Sequence, residues 1–255
     1  MDDSEPMISV ITVVRNHRKG VELTYKSLKH QTYIWWEMIV IDGNSSDGTL
    51  DYLADISRED QRVKVYRQNG LGVYAAMNQG LDLSNSESVW FMNAGDAFFS
   101  NDSLELGIRA FLKDNLSLLI GDYSLEPKAK FIDNQITSFQ ISTLDILFGR
   151  RGACHQSMIF LRSALVKVGA YSLDYPVASD YDAILGIHLL GKVNRTHLTL
   201  SRIEGDGFSD RNLYQMYLEK FLIRKKHFPK KKWVAVLNYL WTLVAITKYL
   251  QRRAW

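Results

Sequence analysis

Four short stretches of the chain bring together residue types that do chemistry. Asp42 lies in IVIDGNSSDGT, directly after an apolar β-branched run, with Asp47 further along the same loop. Asp96 closes VWFMNAGD, His155 and Gln156 stand in ACHQSMIF, and Asp180 and Asp182 share ASDYD. A carboxylate at a strand end can accept hydrogen bonds from a base or ribose, or hold a hard cation against phosphate oxygens. Asp42 suits the first task. Asp96 suits the second, because small Ala94 and Gly95 let phosphates approach the backbone; Mg²⁺ or Mn²⁺ would match such oxygen ligands, with Asn93 or water completing the shell. Asp180 and Asp182 begin an apolar-periodic stretch, where a carboxylate is favoured as a helix cap and can equally take a proton from a hydroxyl within hydrogen-bond reach. Asp47 reads as a cap as readily as a ligand, and His155, beside an apolar strand, as a structural residue more readily than a functional one.

These residues need a scaffold, and the apolar patterning supplies one. Runs at 7–14, 38–41, 63–66 and 89–92 predict strands, separated by helical periodicity around Val21 to Leu28, after Gly48, and over 73–83. Strands alternating with helices predict an α/β fold built on a doubly wound, mainly parallel sheet with helices on both faces. Ligands in such sheets bind outside the carboxyl ends of the strands, which is where Asp42 and Asp96 fall. Beyond Phe99 the pattern predicts a helix over 104–112, strands over 118–120 and 157–161, and a helix over 180–190.

At 255 residues, 46 % hydrophobic and 23 % charged, the composition is that of a compact globular chain rather than a disordered or fibrous one. A single cysteine, Cys154, excludes an internal disulfide framework, and no Cys/His spacing matches a zinc finger. Gly70, Gly72 and Ala75 match a G-x-G-x-x-A dinucleotide pattern, but after the third strand rather than the first and without the strand-end acid such sites use about 20 residues on. Neither a G-x-S-x-G elbow nor a Walker loop is present. The acidic start MDDSEP does not read as a secretory signal, which predicts a cytoplasmic location. Charge is uneven: nine of the 31 Lys and Arg and none of the 28 acids fall in 224–255, where 233–247 is uncharged and Trp- and Tyr-rich. Such a tail fits contact with an anionic membrane surface, or packing on the body or a second subunit; it is short for a bilayer span, which needs about 20 residues.

Taken in order, ISVITVVRN, IVIDGNSSDGT, GVYAAMNQG, FMNAGD, CHQSMIF and ASDYDAILGI resemble the family 2 glycosyltransferases, especially the bacterial enzymes that build capsule, exopolysaccharide or lipopolysaccharide repeat units. The likeness spans about 7–215. It implies a GT-A fold, with a nucleotide-sugar-binding half over 1–100, an acceptor-binding half over 101–223, and the basic aromatic helical tail at 224–255. It also implies inverting transfer of a sugar from a nucleotide-diphosphate sugar to a hydroxyl of a lipid-linked or polysaccharide acceptor. By position, Val14, Arg15, Asn16 and Asp42 would line the nucleoside pocket, and Asp96 would be the last acid of a D-x-D type motif holding Mg²⁺ or Mn²⁺. Asp180 would be the general base, and His155 and Gln156, with Asn93, would lie near the diphosphate or acceptor. The chain departs from the pattern at Gly70, Leu71 and Ala75, and at Asn93, which replaces the first metal-motif acid. A non-catalytic nucleotide-sugar-binding subunit of a glycan assembly complex is the alternative these departures allow. The tail would bring the active site to the inner face of the cytoplasmic membrane; a nucleic-acid partner is not expected.

Overall fold

The computed structural model describes residues 7–126, 154–205 and 212–229, together with 240, 242–244 and 247. Its first half is a succession of βα units: β1 (Ile8–Val14), α1 (Arg18–Lys29), β2 (Trp36–Asp42), α2 (Thr49–Glu59), β3 (Val63–Arg67), α3 (Val73–Leu83) and β4 (Ser88–Phe91). Strands β1 and β2 are buried along almost their whole length, as β-branched strands covered on both faces must be. The chain continues through β5 (Ala97–Phe98), α4 (Ser103–Lys113), β6 (Leu118–Glu126), a 3-10 turn at His155–Ser157, β7 (Met158–Leu161) and α5 (Arg162–Lys167). It then forms α6 (Ser179–Leu190), β8 (Val193–Glu204) and α7 (Leu213–His227).

All eight strands form one sheet in the order β3-β2-β1-β4-β7-β6-β8-β5. Strand β1 pairs in parallel with β2 and β4, β2 with β3, and β6 with β8, whereas β7 runs antiparallel to β4 and β6, and β5 antiparallel to β8. The connection direction reverses between β1 and β4, so the crevice at their carboxyl ends is where a ligand is expected. Two core clusters cover the two faces. Val21, Tyr25 and Leu28 of α1, Leu53 and Ile56 of α2, and Leu104, Ile108 and Phe111 of α4 pack on Ile8, Val10 and Val40. On the other face Tyr74, Met77 and Leu81 of α3, Leu165 of α5, and Ala183, Ile184 and Ile187 of α6 pack on Ile11, Phe91 and Phe160. The α/β layering with helices on both faces is therefore as the patterning predicts, and α3 keeps its predicted bounds.

The later part departs from the sequence reading. Strand β6 runs to Glu126, well past the predicted 118–120, with register irregularities around Asp122. Strand β8 and helix α7 were not foreseen by periodicity at all. Of the basic aromatic tail, only residues 224–229, 240, 242–244 and 247 are described; residues 240, 242–244 and 247 are helical.

Candidate active site

The loops after β1 and β2 are knitted together. Asp42, the last residue of β2, is fully buried. Its Oδ2 accepts the Ser45 N–H at 2.9 Å, while its Oδ1 is buried with no hydrogen-bond partner. An orphan acceptor of this kind is costly unless a donor arrives to meet it. Across from it, Asn16 adopts a left-handed conformation (φ 51°), donates its N–H to Ser45 Oγ at 2.8 Å and accepts the Ser46 N–H at 2.8 Å. Val14 binds the same loop through its carbonyl, which accepts the Gly43 N–H at 2.8 Å, and Arg15 is exposed at the rim. Asp47 is engaged structurally: it accepts N–H groups from Arg18 (3.2 Å) and Thr49 (3.1 Å), holding the first residue of α2, although the N-cap position itself is Gly48 rather than Asp47.

The turn after β4 is clamped from three sides. Thr24 of α1 accepts the Gly95 N–H through Oγ1 (3.1 Å), and the Asp96 carbonyl lies 2.6 Å from the same hydroxyl. Gly95 has φ +104°, a conformation that favours glycine, and a Cβ there would have to displace the end of the Glu204 side chain. Asp96 is buried, with Oδ1 accepting the Glu204 N–H at 3.0 Å and Oδ2 accepting Gln156 Nε2–H at 2.9 Å. Burial pushes its carboxyl up to about 6, more than the Gln156 and Glu204 hydrogen bonds and the nearby His155 can offset. Asn93 Oδ1, in the same turn, is buried and unpartnered.

The His155–Ser157 turn faces this one. Trp90 Nε1–H donates to the Gln156 carbonyl at 2.8 Å, and Gln156 Oε1 accepts the Cys154 thiol at 2.6 Å, which fixes the amide so that its nitrogen meets Asp96. His155 bridges two candidate residues: Nε2 lies 3.4 Å from Asn93 Nδ2, and Nδ1 lies 3.5 Å from Asp180 Oδ2. Asp180 also has Tyr74 Oη 3.2 Å from its Oδ1, and that phenol is within 3.1 Å of the Val177 carbonyl. Burial, and next the Asp180 charge, hold the Tyr74 hydroxyl well above its usual range, so it stays a donor. Burial alone would raise the Asp180 carboxyl, but His155 and Lys220 more than offset it and the net shift is down. Asp180 is thus kept as a carboxylate. Asp182 turns the other way, to Lys226 Nζ (2.8 Å) and His227 Nε2 (2.7 Å), and takes no part in this cluster.

The structure therefore brings Asn93, Asp96, His155, Gln156 and Asp180 into one connected network, with Val14, Arg15, Asn16 and Asp42 in the adjoining pair of loops. Sequence reasoning missed Tyr74, Glu204 and Lys220, which reach the network from α3, β8 and α7. Among the described residues no group of three or more His, Cys, Asp or Glu could hold a metal ion. What the 93–96 turn offers a cation is one buried carboxylate, whose two oxygens each already accept one hydrogen bond, and one orphan amide oxygen, and these oxygen donors fit a hard ion whose shell substrate phosphates complete. Leu71, where the loop departs from the expected polar pattern, is 95 % exposed and makes no part of the site.

The family model described as Glycosyl transferase family 2 matches residues 9–169. A "PGL/p-HBAD biosynthesis glycosyltransferase" of Mycobacterium bovis is 30 % identical over 184 residues, covering 69 % of this chain and 68 % of that protein. The "Putative teichuronic acid biosynthesis glycosyltransferase TuaG" of Bacillus subtilis is 32 % identical over 138 residues, 52 % of this chain and 54 % of its own length. Among solved structures, S. aureus TarS in complex with UDP superposes with a TM-score of 0.69 at 14 % identity, covering 96 % of this chain and 72 % of that one. The mannosyltransferase PcManGT from Pyrobaculum calidifontis, in complex with GDP-Man and Mn²⁺, superposes with a TM-score of 0.65 at 14 % identity, covering 96 % and 76 %. Against the longer TarS chain the likeness spans only 39 % of that protein.

Proposed function

Because the chain belongs to glycosyl transferase family 2, we propose that it moves a sugar from a nucleotide-diphosphate sugar to a hydroxyl of a lipid-linked or polysaccharide acceptor, inverting the anomeric centre. The observation that carries this reading is the junction of the Asp96 turn and Asp180 through His155, at the crevice where the sheet reverses direction. Asp42 Oδ1 is the free acceptor for an N–H of the base, and Asn16 and Val14 shape the loop that holds it. Asp180, held as a carboxylate, takes the proton of the acceptor hydroxyl as that oxygen bonds to the anomeric carbon. The bond from that carbon to the phosphate oxygen breaks on the opposite face, and its electron pair leaves with the nucleoside diphosphate. Tyr74 and His155 fix the carboxylate's direction, and His155 and Lys220 keep it ionised. Asp96 and Asn93 Oδ1 are the atoms that would hold Mg²⁺ or Mn²⁺, which when bound supplies positive charge to the departing diphosphate. The relative named for teichuronic acid biosynthesis supports a polysaccharide-type acceptor, and the acid-free basic tail supports a place at the inner face of the cytoplasmic membrane.

The test is a thermal-shift screen against UDP-, GDP-, CMP- and dTDP-sugars with and without Mn²⁺, followed by a transfer assay with Asp180→Asn. One nucleotide class should stabilise the protein more with Mn²⁺ present. Asp180→Asn should keep that shift and lose about 10²–10⁴-fold in turnover, the usual contribution of a positioned base. Near-normal turnover of the variant would remove Asp180 from this role; a donor shift with no transfer to any supplied acceptor would favour a donor-binding subunit.

A further inference from the structure

We propose that Glu204 supplies the second carboxylate of a divalent-cation site, sharing with Asp96 and the Asn93 amide oxygen the ion that meets a donor's diphosphate. The inference rests on the glycosyltransferase reading above and adds to it a residue from the far end of the sheet.

Strand pairing brings Glu204 to the turn. Strand β5 runs antiparallel to β8, with Ala97 opposite Arg202 and Phe98 opposite Ser201. Carrying that register two residues further sets Asp96 opposite Ile203 and Gly95 opposite Glu204. The Glu204 N–H closes the pairing by donating to Asp96 Oδ1 at 3.0 Å. Glycine at 95 leaves space beside the turn, and the end of the Glu204 side chain takes it: a Cβ on Gly95 would meet Glu204 Oε2 first and His17 Cε1 next. The backbone amide of Glu204 is thus tied to buried Asp96, while its own side chain, on the same turn, is 43 % exposed.

Charge decides what such a carboxylate can do. Among the described residues its one ion-pair partner is His17, whose Nε2 lies 3.8 Å from Glu204 Oε2 and which is positive only when protonated. Asp96 gains nothing from this neighbour, since the Glu204 charge adds to the burial that pushes its carboxyl up. A diphosphate brought to the turn adds further negative charge to two carboxylates, and like charges this close repel. A hard divalent ion reverses the balance, because Mg²⁺ and Mn²⁺ take oxygens from one or two carboxylates together with those of phosphates. The 93–96 turn alone provides one carboxylate, each of whose oxygens already accepts a hydrogen bond, and the unpartnered Asn93 Oδ1. Glu204 adds a carboxylate with no hydrogen bond to hold it back, and with it the site has the two acids and one amide oxygen that phosphates can complete.

The experiment compares the full chain with Glu204→Gln, which alters an exposed group and keeps the backbone N–H that Asp96 accepts. Mn²⁺ binding is read from the loss of the free-ion signal in electron paramagnetic resonance, and nucleotide binding from thermal shifts with UDP, GDP and dTDP, each in Mn²⁺ and in EDTA. With the nucleotide that stabilises the parent present, the variant should bind Mn²⁺ at least about tenfold more weakly, the least that changes around metal ligands cost. In EDTA the effect should reverse: the same nucleotide should stabilise the variant as much as the parent or more, because a negative charge beside its phosphates is gone. Equal Mn²⁺ affinity of variant and parent overturns the proposal, as does a nucleotide shift that falls alike in Mn²⁺ and in EDTA, which is what a merely structural glutamate would give. A parent that a nucleotide stabilises but that retains no Mn²⁺ also overturns it and leaves sugar transfer standing. A parent that none of the nucleotides stabilises, with or without Mn²⁺, overturns both.

Discussion

Asp96 is the residue whose environment makes the sharpest demand. Its folded value of about 6 lies above that of an unfolded aspartate, so protonation favours the folded state: the cost of the buried charge is fully present above pH 6 and is relieved as pH falls toward 4. Asp96→Asn should therefore stabilise the protein by about 1–3 kcal/mol near neutral pH. The gain should shrink in denaturation curves taken between pH 6 and 4, and the variant should lose any Mn²⁺-dependent part of the donor shift. The gain assumes that the new amide is accommodated by a flip of Gln156, whose oxygen and nitrogen can exchange places at the cost of the Cys154 contact. Asp42, Asp96, His155 and Asp180 were legible in the sequence because a strand end or a helix start places a polar residue at an edge without knowledge of the partner. Tyr74 and Glu204 were not, since they reach Asp180 and Asp96 across 106 and 108 residues of chain. Tyr74 also lies between Gly72 and Ala75 of the stretch that matches a dinucleotide pattern, whose spacing says nothing of its hydroxyl.

Among the elements, β1 to β4 with the three helices between them, and α4, β7 and α6 later on, were legible from their apolar patterning, whereas β5, α5, β8, α7 and the far part of β6 were not. Strand β8 reads VNRTHLTLSRIE, polar at most positions, and is a strand because β6 pairs with it on one side and β5 on the other. Helix α7 has apolar residues on opposite sides, which erases the one-sided periodicity a helix is usually recognised by. Yet α7 holds the backbone just before α6 through one buried carboxylate, that of Glu219, beside the contacts of Lys226 and His227 to Asp182. Glu219→Ala would strand the N–H groups of Val177 and Ala178 and should cost about 2–4 kcal/mol. It should also lower turnover more than donor affinity, because the carboxylate at the start of α6 loses its position while the Asp42 loops do not. Glu219→Gln keeps one oxygen for both donors and should recover most of the loss, an outcome that bulk destabilisation by any change at this position would not produce. Thermal denaturation and separate KM and kcat values check both variants.

For the molecule as a whole, the two halves share one sheet, with β7 joined to β4 and β8 returning to β5 beside the Asp96 turn. Unfolding should therefore be a single transition, with the Trp fluorescence change, to which buried Trp36 and Trp90 of the first half contribute, coinciding with far-ultraviolet circular dichroism of the whole. Two separated transitions would mean that the halves fold apart. The layered α/β architecture was legible from the first hundred residues, because local βα units repeat there; the closing strands depend on pairings that no local window contains. That closure sets a timetable for the chain as it is made. Strands β1 to β4 can assemble from neighbouring pieces while synthesis continues, but the turn bearing Asp96 lacks the Glu204 amide, and α6 lacks its Glu219 support, until nearly the whole described chain has left the ribosome. A nascent chain can thus shape the Asn16 and Asp42 loops early while Asp180 is still unplaced, and under the proposed glycosyltransferase reading a truncated product released by stalled translation would hold donor without transferring its sugar.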